Sequence, residues 1–165
     1  MSAARAMFDR SLIEAYARQG DVPRRAVERL STEDVLAKPV EGTWSIQQLV
    51  VHLLESDLAA THRMRRIAAE HRPLLIAYDE TAMADRIGYE GEDLRVVTDL
   101  FEMNRGWTSA WLRRLPEEAF ARAGVHNQAG LVTLGHLVRS YVEHVDHHMK
   151  FLREKRERLG KPLSW

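Results

Sequence analysis

Four long segments with helical periodicity dominate this chain and leave little room for another architecture. Their predicted ranges are 3–30, with an interruption near 20–23, then 46–70, 92–115 and 134–159. Apolar residues recur three or four positions apart, the spacing that gathers one face of an α-helix. Alternating runs of β-branched residues, which are typical of strands, are missing. The pattern predicts an all-α fold in which the apolar faces meet in a four-helix bundle.

Local signals mark where these helices begin. Ser45 and Gln48 have the spacing of a capping box, in which each side chain binds an unpaired backbone N–H at the helix start. Thr133 is the predicted N-cap of the last helix. Residues 73–91 and 116–133 form long connections, so crossovers between helices are allowed. We expect a single domain over residues 1–165, without assuming a simple up-down-up-down order.

The charge balance argues against a chain-wide nucleic-acid-binding surface. Lys and Arg number 24, and Asp and Glu also number 24, so the formal net charge is zero. Nucleic-acid-binding domains, in contrast, usually carry a basic patch. No apolar run approaches the roughly 20 residues that span a membrane, and the first ten residues lack the apolar region of a signal peptide. We expect a cytoplasmic protein that has neither nucleic acid nor a membrane as partner.

Because the chain has no cysteine, any metal must be held by His, Asp or Glu. On a helical wheel of the last helix, His148 and His144 lie at about −40° and −80° from Leu134, at one edge of the apolar face. His147 falls at about −140° and should face solvent. Residues four apart share a helix face, so this pair can direct two imidazoles at one ion. The alternative is that both are ordinary histidines at a helix edge.

His52 lies among apolar residues at the edge of the apolar face of the second helix. Taken alone, it is more simply a hydrogen-bonded core histidine. If the second and last helices face each other, however, His52 completes a three-nitrogen set with His144 and His148. Three protein ligands with an open fourth position are typical of catalytic metal sites.

Two inward-facing charged residues also need an explanation. Asp57 lies near the centre of the apolar face of the second helix, and Arg105 shares the apolar face of the third. A buried carboxylate is costly unless it is paired or near an ion. One interpretation is an Asp57–Arg105 pair that fixes helix packing. The other is that both residues line a metal pocket, where they bind substrate or orient a ligand imidazole.

Two further features each allow two interpretations. His126, in the loop before the last helix, either covers the mouth of a pocket or is an ordinary loop residue. Trp107 and Trp111, one turn apart on the third helix, belong either to the core or to a dimer surface.

Two elements in this order resemble a known family. The first is Gly42–Ser45 followed by Leu49–His52, and the second is Gly130–Leu137 followed by His144–His148. The tryptophan-serine-to-histidine element and the HxxxH element stand about 90 residues apart. In combination they resemble the DinB/YfiT-like group of metalloproteins, and the resemblance extends over about residues 5–158.

The resemblance implies a four-helix bundle with an up-down-down-up order of helices. It also implies a divalent metal ion, zinc or nickel, held by His52, His144 and His148. Relatives of this kind are often homodimers, and an exposed tryptophan pair would support the same assembly here.

These observations support two hypotheses for the function. The first is a metal-dependent enzyme, either a hydrolase or a thiol S-transferase. The transferase would join a low-molecular-weight thiol to a small electrophilic substrate. The thiol reaction rests on the resemblance alone. The alternative is a non-catalytic stress-response protein that binds a metal or ligand. A fourth protein ligand such as Asp57 would close the metal site and favour the alternative, whereas an open position beside a cavity would favour the enzyme.

Overall fold

The computed structural model describes residues 7–165 and is mostly helical there. The helices of this range are α1 (Ser11–Arg18), α2 (Val22–Val27), α3 (Thr32–Leu36), α4 (Ile46–Ala69), α5 (Glu80–Met83), α6 (Leu94–Arg113) and α7 (Leu134–Arg158). The strands are β1 (Leu74–Leu75), β2 (Ala123–His126) and β3 (Gly130–Thr133). None of the helices in residues 7–165 has the length and apolar character required to cross a membrane.

The predicted helices are confirmed, with one division. The first segment is split into α1 and α2 by a 3₁₀ turn over Gln19–Asp21, and its predicted start at 3–6 lies outside the described residues. At the start of α4, Ser45 Oγ accepts a hydrogen bond from the Gln48 amide, and Gln48 Oε1 accepts one from the Ser45 amide. Thr133 Oγ1 accepts from the His136 amide and caps α7. Local hydrogen bonding therefore sets both helix starts.

The order of the helices follows from which residues contact each other. Paired residues advance in the same direction along α4 and α6, so these helices are parallel. Paired residues advance in opposite directions along α4 and α7, and also along α1 and α6, so the helices of these two pairs are antiparallel. The pairs are Asp57–Arg105 and Thr61–Thr108 for α4–α6, His52–His144 and Arg63–Tyr141 for α4–α7, and Glu14–Arg113 and Gln19–Arg105 for α1–α6. The bundle is therefore up-down-down-up, which confirms the expected order.

A polar layer divides the apolar core into two parts. On α4, the apolar residues of 46–54 belong to one cluster and those of 60–67 to the other, with Asp57 between them. On α6, Phe101 and Leu112 lie in separate clusters, with Arg105 between them. Both charged side chains are almost fully buried, with 1% and 0% of their surface exposed.

The parallel arrangement of α4 and α6 requires a long return segment, residues 70–93, to carry the chain back along the bundle. It begins with β1 beyond the end of α4 and ends near the start of α4, where Gln47 Nε2 donates to the carbonyls of Tyr89, Glu90 and Glu92. Between these ends the segment contacts α4, where Arg63 Nη2 donates to the Ile76 carbonyl and Glu80 lies near His52. This path decides which side chains reach the site described below.

The sequence did not predict the small sheet. β1 pairs in parallel with β2, where Leu74 lies opposite Val125, and β2 pairs antiparallel with β3, where Ala123 lies opposite Thr133. Strands of two to four residues are too short for an alternating pattern to appear. The β1–β2 pairing also joins segments about 50 residues apart, which no local pattern can indicate.

Candidate metal centre

The structure brings three histidines of two helices to one point. His52 projects from α4, and His144 and His148 project from successive turns of α7. The Nε2 atoms of His52 and His144 lie 3.2 Å apart, and those of His148 and His144 lie 3.0 Å apart. Within residues 7–165, these three residues alone form a group of His, Cys, Asp or Glu ligand atoms spaced as a metal site requires. We call them the three-histidine cluster.

Helix geometry explains how the cluster forms. The four-residue spacing of His144 and His148 places both rings on one face of α7. The antiparallel packing of α4 then brings His52 opposite them, and its side chain is fully buried. The sequence-based assignment of these three residues to one face-to-face group therefore agrees with the geometry.

All three imidazoles are neutral at physiological pH. Burial lowers the pKa of His52 to about 4. Burial, followed by the charge of His52, lowers the pKa of His148 to about 4, and burial with the charge of His148 lowers that of His144 to about 3. A neutral imidazole has one ring nitrogen with a free lone pair, which is the form that binds a metal.

Neutral imidazoles alone satisfy the two short nitrogen contacts poorly. Each Nε2 carries either one proton or one lone pair in the plane of its ring. His144 Nε2 therefore makes at most one linear hydrogen bond, with either His52 or His148, and its other short contact is bent. A shared cation removes this conflict. Three nitrogens placed about 2.0–2.1 Å from an ion at tetrahedral angles lie about 3.3 Å apart. Two of the three separations, 3.0 and 3.2 Å, are close to this value, and the ligand atoms of all three residues lie within 4.8 Å of one another.

Packing, rather than hydrogen bonding, orients two of the three rings. The Nδ1 atoms of His52 and His148 are buried, and neither has a hydrogen-bond partner in residues 7–165. The Trp44 ring lies 5.0 Å from the His52 ring, and the Phe151 ring lies 6.4 Å from that of His148. Metal-binding histidines usually donate the other N–H to an acceptor, so these aromatic contacts take over the orienting role here.

Glu80 is a carboxylate next to the cluster that sequence reasoning missed. Its Oε2 lies 3.9 Å from His52 Nε2, and its side chain is 52% exposed. Burial raises the pKa of Glu80, whereas the charge of Arg63 lowers it. Glu80 is the first residue of α5 within the return segment, so its placement depends on the parallel order of α4 and α6. No local pattern in the sequence marks it.

The buried carboxylate of Asp57 belongs to a separate hydrogen-bonded network. Its Oδ1 accepts from Arg105 Nε at 3.0 Å and Nη2 at 2.8 Å. Its Oδ2 accepts from Asn104 Nδ2 at 2.7 Å and from the Tyr16 hydroxyl at 3.0 Å. Both oxygens are thus fully engaged. The Asp57–Arg105 pair of the packing interpretation is present, and we call Asp57, Arg105, Asn104 and Tyr16 the buried polar network.

Arg105 connects this network to the other helices. Its Nη1 donates to the side chain of Gln19 on the turn after α1, and its Nη2 donates at 2.8 Å to the carbonyl of Tyr141 on α7. The Tyr141 ring in turn lies 5.7 Å from that of His144. The contacts of Arg105 thus support the packing interpretation and also hold the turn of α7 that precedes His144.

The other histidines lie outside the cluster. His147 is exposed, as the wheel predicted, and its ring lies against Phe151 at 4.9 Å. His126 ends β2, and its Nδ1 accepts from the amides of Gln128 and Ala129 in the β2–β3 turn. This contact favours the interpretation of His126 as a loop residue with a local structural role.

The two tryptophans of α6 have different surroundings. Trp107 is 57% exposed, whereas Trp111 is partly buried against the core. The Arg65 guanidinium lies over both rings, 3.8 Å from the centre of Trp107 and 5.0 Å from that of Trp111. The homodimer expected from the sequence stays a prediction.

Comparison with known proteins agrees with this geometry. "Putative metal-dependent hydrolase YfiT" of Bacillus subtilis (strain 168) is 27% identical over 138 residues, which cover 83% of this chain and 78% of that protein. A protein of Oceanobacillus iheyensis described in the same way is 27% identical over 133 residues, covering 78% and 76% of the two chains. Both proteins are relatives of this chain, and each description refers to the relative itself.

The fold matches a solved structure as well. The structure of YfiT, described as "a probable metal-dependent hydrolase with an unusual four-helix bundle topology", superposes with a TM-score of 0.88 at 23% identity. The match covers 97% of this chain and 93% of that one. Residues 15–152, most of the chain, match the sequence profile of the DinB superfamily. This chain therefore belongs to the DinB superfamily.

Proposed function

We propose that this chain is a divalent-metal-dependent hydrolase acting on a small molecule, and that His52, His144 and His148 hold the ion. The observation that carries the proposal is the convergence of three neutral imidazoles, with Nε2 separations of 3.2 and 3.0 Å that suit a shared cation. The names of the relatives support the reaction class. When bound, a divalent ion supplies Lewis acidity, which lowers the pKa of a nucleophile such as water.

Glu80 is placed to act as the general acid–base group of the proposed hydrolysis. Its Oε2 lies 3.9 Å from His52 Nε2 and is partly open to solvent. A carboxylate within reach of the nucleophile can take its proton and return it to a leaving group. The ring of Trp44 packs 5.0 Å from that of His52. We assign proton transfer to Glu80 Oε2.

A closed metal site, with a fourth protein ligand such as Asp57, would favour the alternative of a non-catalytic binding protein. Both Asp57 oxygens are instead occupied by the buried polar network. This favours an open position and hence the enzyme. Thiol S-transfer would use the same cluster with a thiol in place of water, and it stays a prediction of the family resemblance.

The first test measures the metal itself. Protein purified without a nickel column should contain about one divalent ion per chain. A variant with all three cluster histidines changed to alanine should lose the ion and keep a helical circular dichroism spectrum. His136→Ala, an exposed change on α7, is the matched control and should bind like the wild type. Retention of one tight ion by the triple variant would place the site elsewhere.

The second test concerns the reaction. A panel of small esters, amides and phosphoesters, assayed with and without added thiol, separates hydrolysis from thiol transfer. Glu80→Gln should retain the ion yet lower the rate by about 10²–10⁴-fold, the usual contribution of acid–base catalysis. An unchanged rate in this variant would remove Glu80 from the mechanism. Conversion only in the presence of thiol would favour the transferase.

A further inference from the structure

A cavity of about 220 Å³ adjoins the three-histidine cluster on the side of His148. It lies between the start of α4 and the second half of α7. Its exposed lining is largely apolar, although four of the residues carry polar side chains; the residues are Val40, Thr43, Trp44, Leu49, His148, Phe151, Glu154 and Lys155. Ligand pockets are typically about 300–1,000 Å³, so this cavity is suited to a small molecule.

Lys155 is a buried cation in the wall of this cavity. Its exposed fraction is 2%, and its ammonium donates a hydrogen bond to the hydroxyl of Thr43. It has no ion-pair partner among the salt bridges of residues 7–165, whereas an ammonium offers three donors. Buried charges are normally paired, because an unpaired one has lost its hydration without compensation. Lys155 therefore has capacity for an anionic partner.

The other charged residue of the cavity wall, Glu154, is already paired. Its Oε1 accepts from Arg158 Nη2 at 3.0 Å and from Arg158 Nε at 3.2 Å. Glu154 thus has its ion-pair partner in Arg158, whereas the buried ammonium of Lys155 has none among the described residues. Burial lowers the pKa of Lys155, whereas the charge of Glu154 raises it. An added anion would stabilise the ammonium further.

We infer that this cavity binds the substrate of the proposed reaction, and that the substrate is a small apolar molecule with an anionic group at one end. Lys155 and Thr43 hold the anion, and Trp44 and Phe151 contact the apolar body. Seven residues separate His148 from Lys155 on α7, a rise of about 10 Å along the helix. The anion therefore lies about two helical turns from the reacting centre. This inference rests on the proposed function, because it names the substrate class of the same site.

The test compares three probes with the same six-carbon body, namely hexane-1-sulfonate, hexan-1-ol and hexylamine. A sulfonate is a weak metal ligand, so its binding reports on the cavity and not on the ion. Binding is followed by the NMR shift of the Trp44 indole N–H, in both metal-loaded and metal-free protein. A charge-assisted hydrogen bond to Lys155 should make the sulfonate about 10- to 100-fold tighter than the alcohol. The amine should bind most weakly.

Two variants assign the preference to Lys155. Lys155→Met keeps the length of the side chain but removes its charge; it should lose the preference for sulfonate while retaining alcohol binding and the metal. Lys150→Met, an exposed change on the same helix, should leave the preference intact. Equal binding of sulfonate and alcohol to the wild type would overturn the inference. So would an unchanged preference in Lys155→Met, or probe shifts that spare Trp44.

The two proposals fail in distinguishable ways. If the wild type binds one metal ion per chain but does not prefer the sulfonate, the substrate assignment is wrong and the proposed metal centre stands. An anion preference in metal-free protein, together with a triple-alanine variant that still binds one ion, would support the cavity and reject the three-histidine assignment.

Discussion

Replacement of Arg105 by methionine should be among the most destabilising single changes in this protein. The guanidinium and its partner Asp57 are 0% and 1% exposed. Arg105→Met removes both hydrogen bonds to Asp57 Oδ1 and leaves a buried carboxylate without its counter-ion. Breaking a buried ion pair in this way costs about 3–5 kcal/mol. At about 2–4 °C per kcal/mol for a chain of this size, the melting temperature should fall by about 6–20 °C.

The assay is urea unfolding followed by circular dichroism at 222 nm. Arg113→Met is the matched control, because Arg113 lies on the same helix and forms an exposed ion pair with Glu14. Exposed pairs contribute about 0–1 kcal/mol. The double variant Asp57→Leu with Arg105→Met should be less destabilised than Arg105→Met alone, since it removes both charges. The dependence of unfolding on urea concentration should stay the same in all three variants.

Two results would refute this reasoning. One is a loss in Arg105→Met no larger than that in Arg113→Met. The other is a double variant at least as unstable as Arg105→Met, which would show that the unpaired charge of Asp57 is not the cause. Metal binding by Arg105→Met then separates the two interpretations of this residue. If its role is packing, affinity should stay within about tenfold, the lower limit of effects from residues that orient ligands.

Three further outcomes are expected. In a chelator competition, His147→Ala should change metal affinity by less than about tenfold. His148→Ala should weaken it by about 10²–10³-fold, which is one quarter of the binding free energy of a four-ligand zinc site. The reverse ranking would mean that α7 is rotated. Burial holds the pKa values of the three cluster histidines at about 3 to 4, against about 6.5 in the unfolded chain. Because the unfolded chain then binds more protons, the unfolding free energy of metal-free protein should fall as the pH is lowered from 7 towards 4. An equally steep fall in the triple-alanine variant would contradict this origin. Trp107→Lys should convert the predicted homodimer to a monomer in light scattering, and a wild-type monomer would remove that prediction.

Much of the fold is visible in the sequence because helices are local structures. The capping pairs Ser45–Gln48 and Thr133–His136 join residues three apart, and a pattern of that range is legible without tertiary information. The burial of Lys155 was also within reach, since on the α7 wheel it lies at about −60°, beside His148. The neighbouring charged residues of both signs make the local pattern of Lys155 typical of an exposed position.

The histidines show what the sequence can predict and what it cannot. The spacing of His144 and His148 is a property of one helix, so their shared face followed from the sequence. The meeting with His52 required α4 and α7 to be antiparallel neighbours, and only the family resemblance indicated the order of helices. Once that packing exists, the distances between the three nitrogens follow from it.

The sequence by itself determined the helices, their caps and the residue types that face inward, because apolar periodicity acts over a few turns. Tertiary structure alone decided that α4 and α6 are parallel, that β1 pairs with β2, and that Glu80 lies beside His52. Each of these depends on packing between segments far apart in the chain. The free energy of that packing is summed over the whole core and is not encoded in any one segment. Glu80 reaches the site because two parallel helices require the chain to travel back along the bundle.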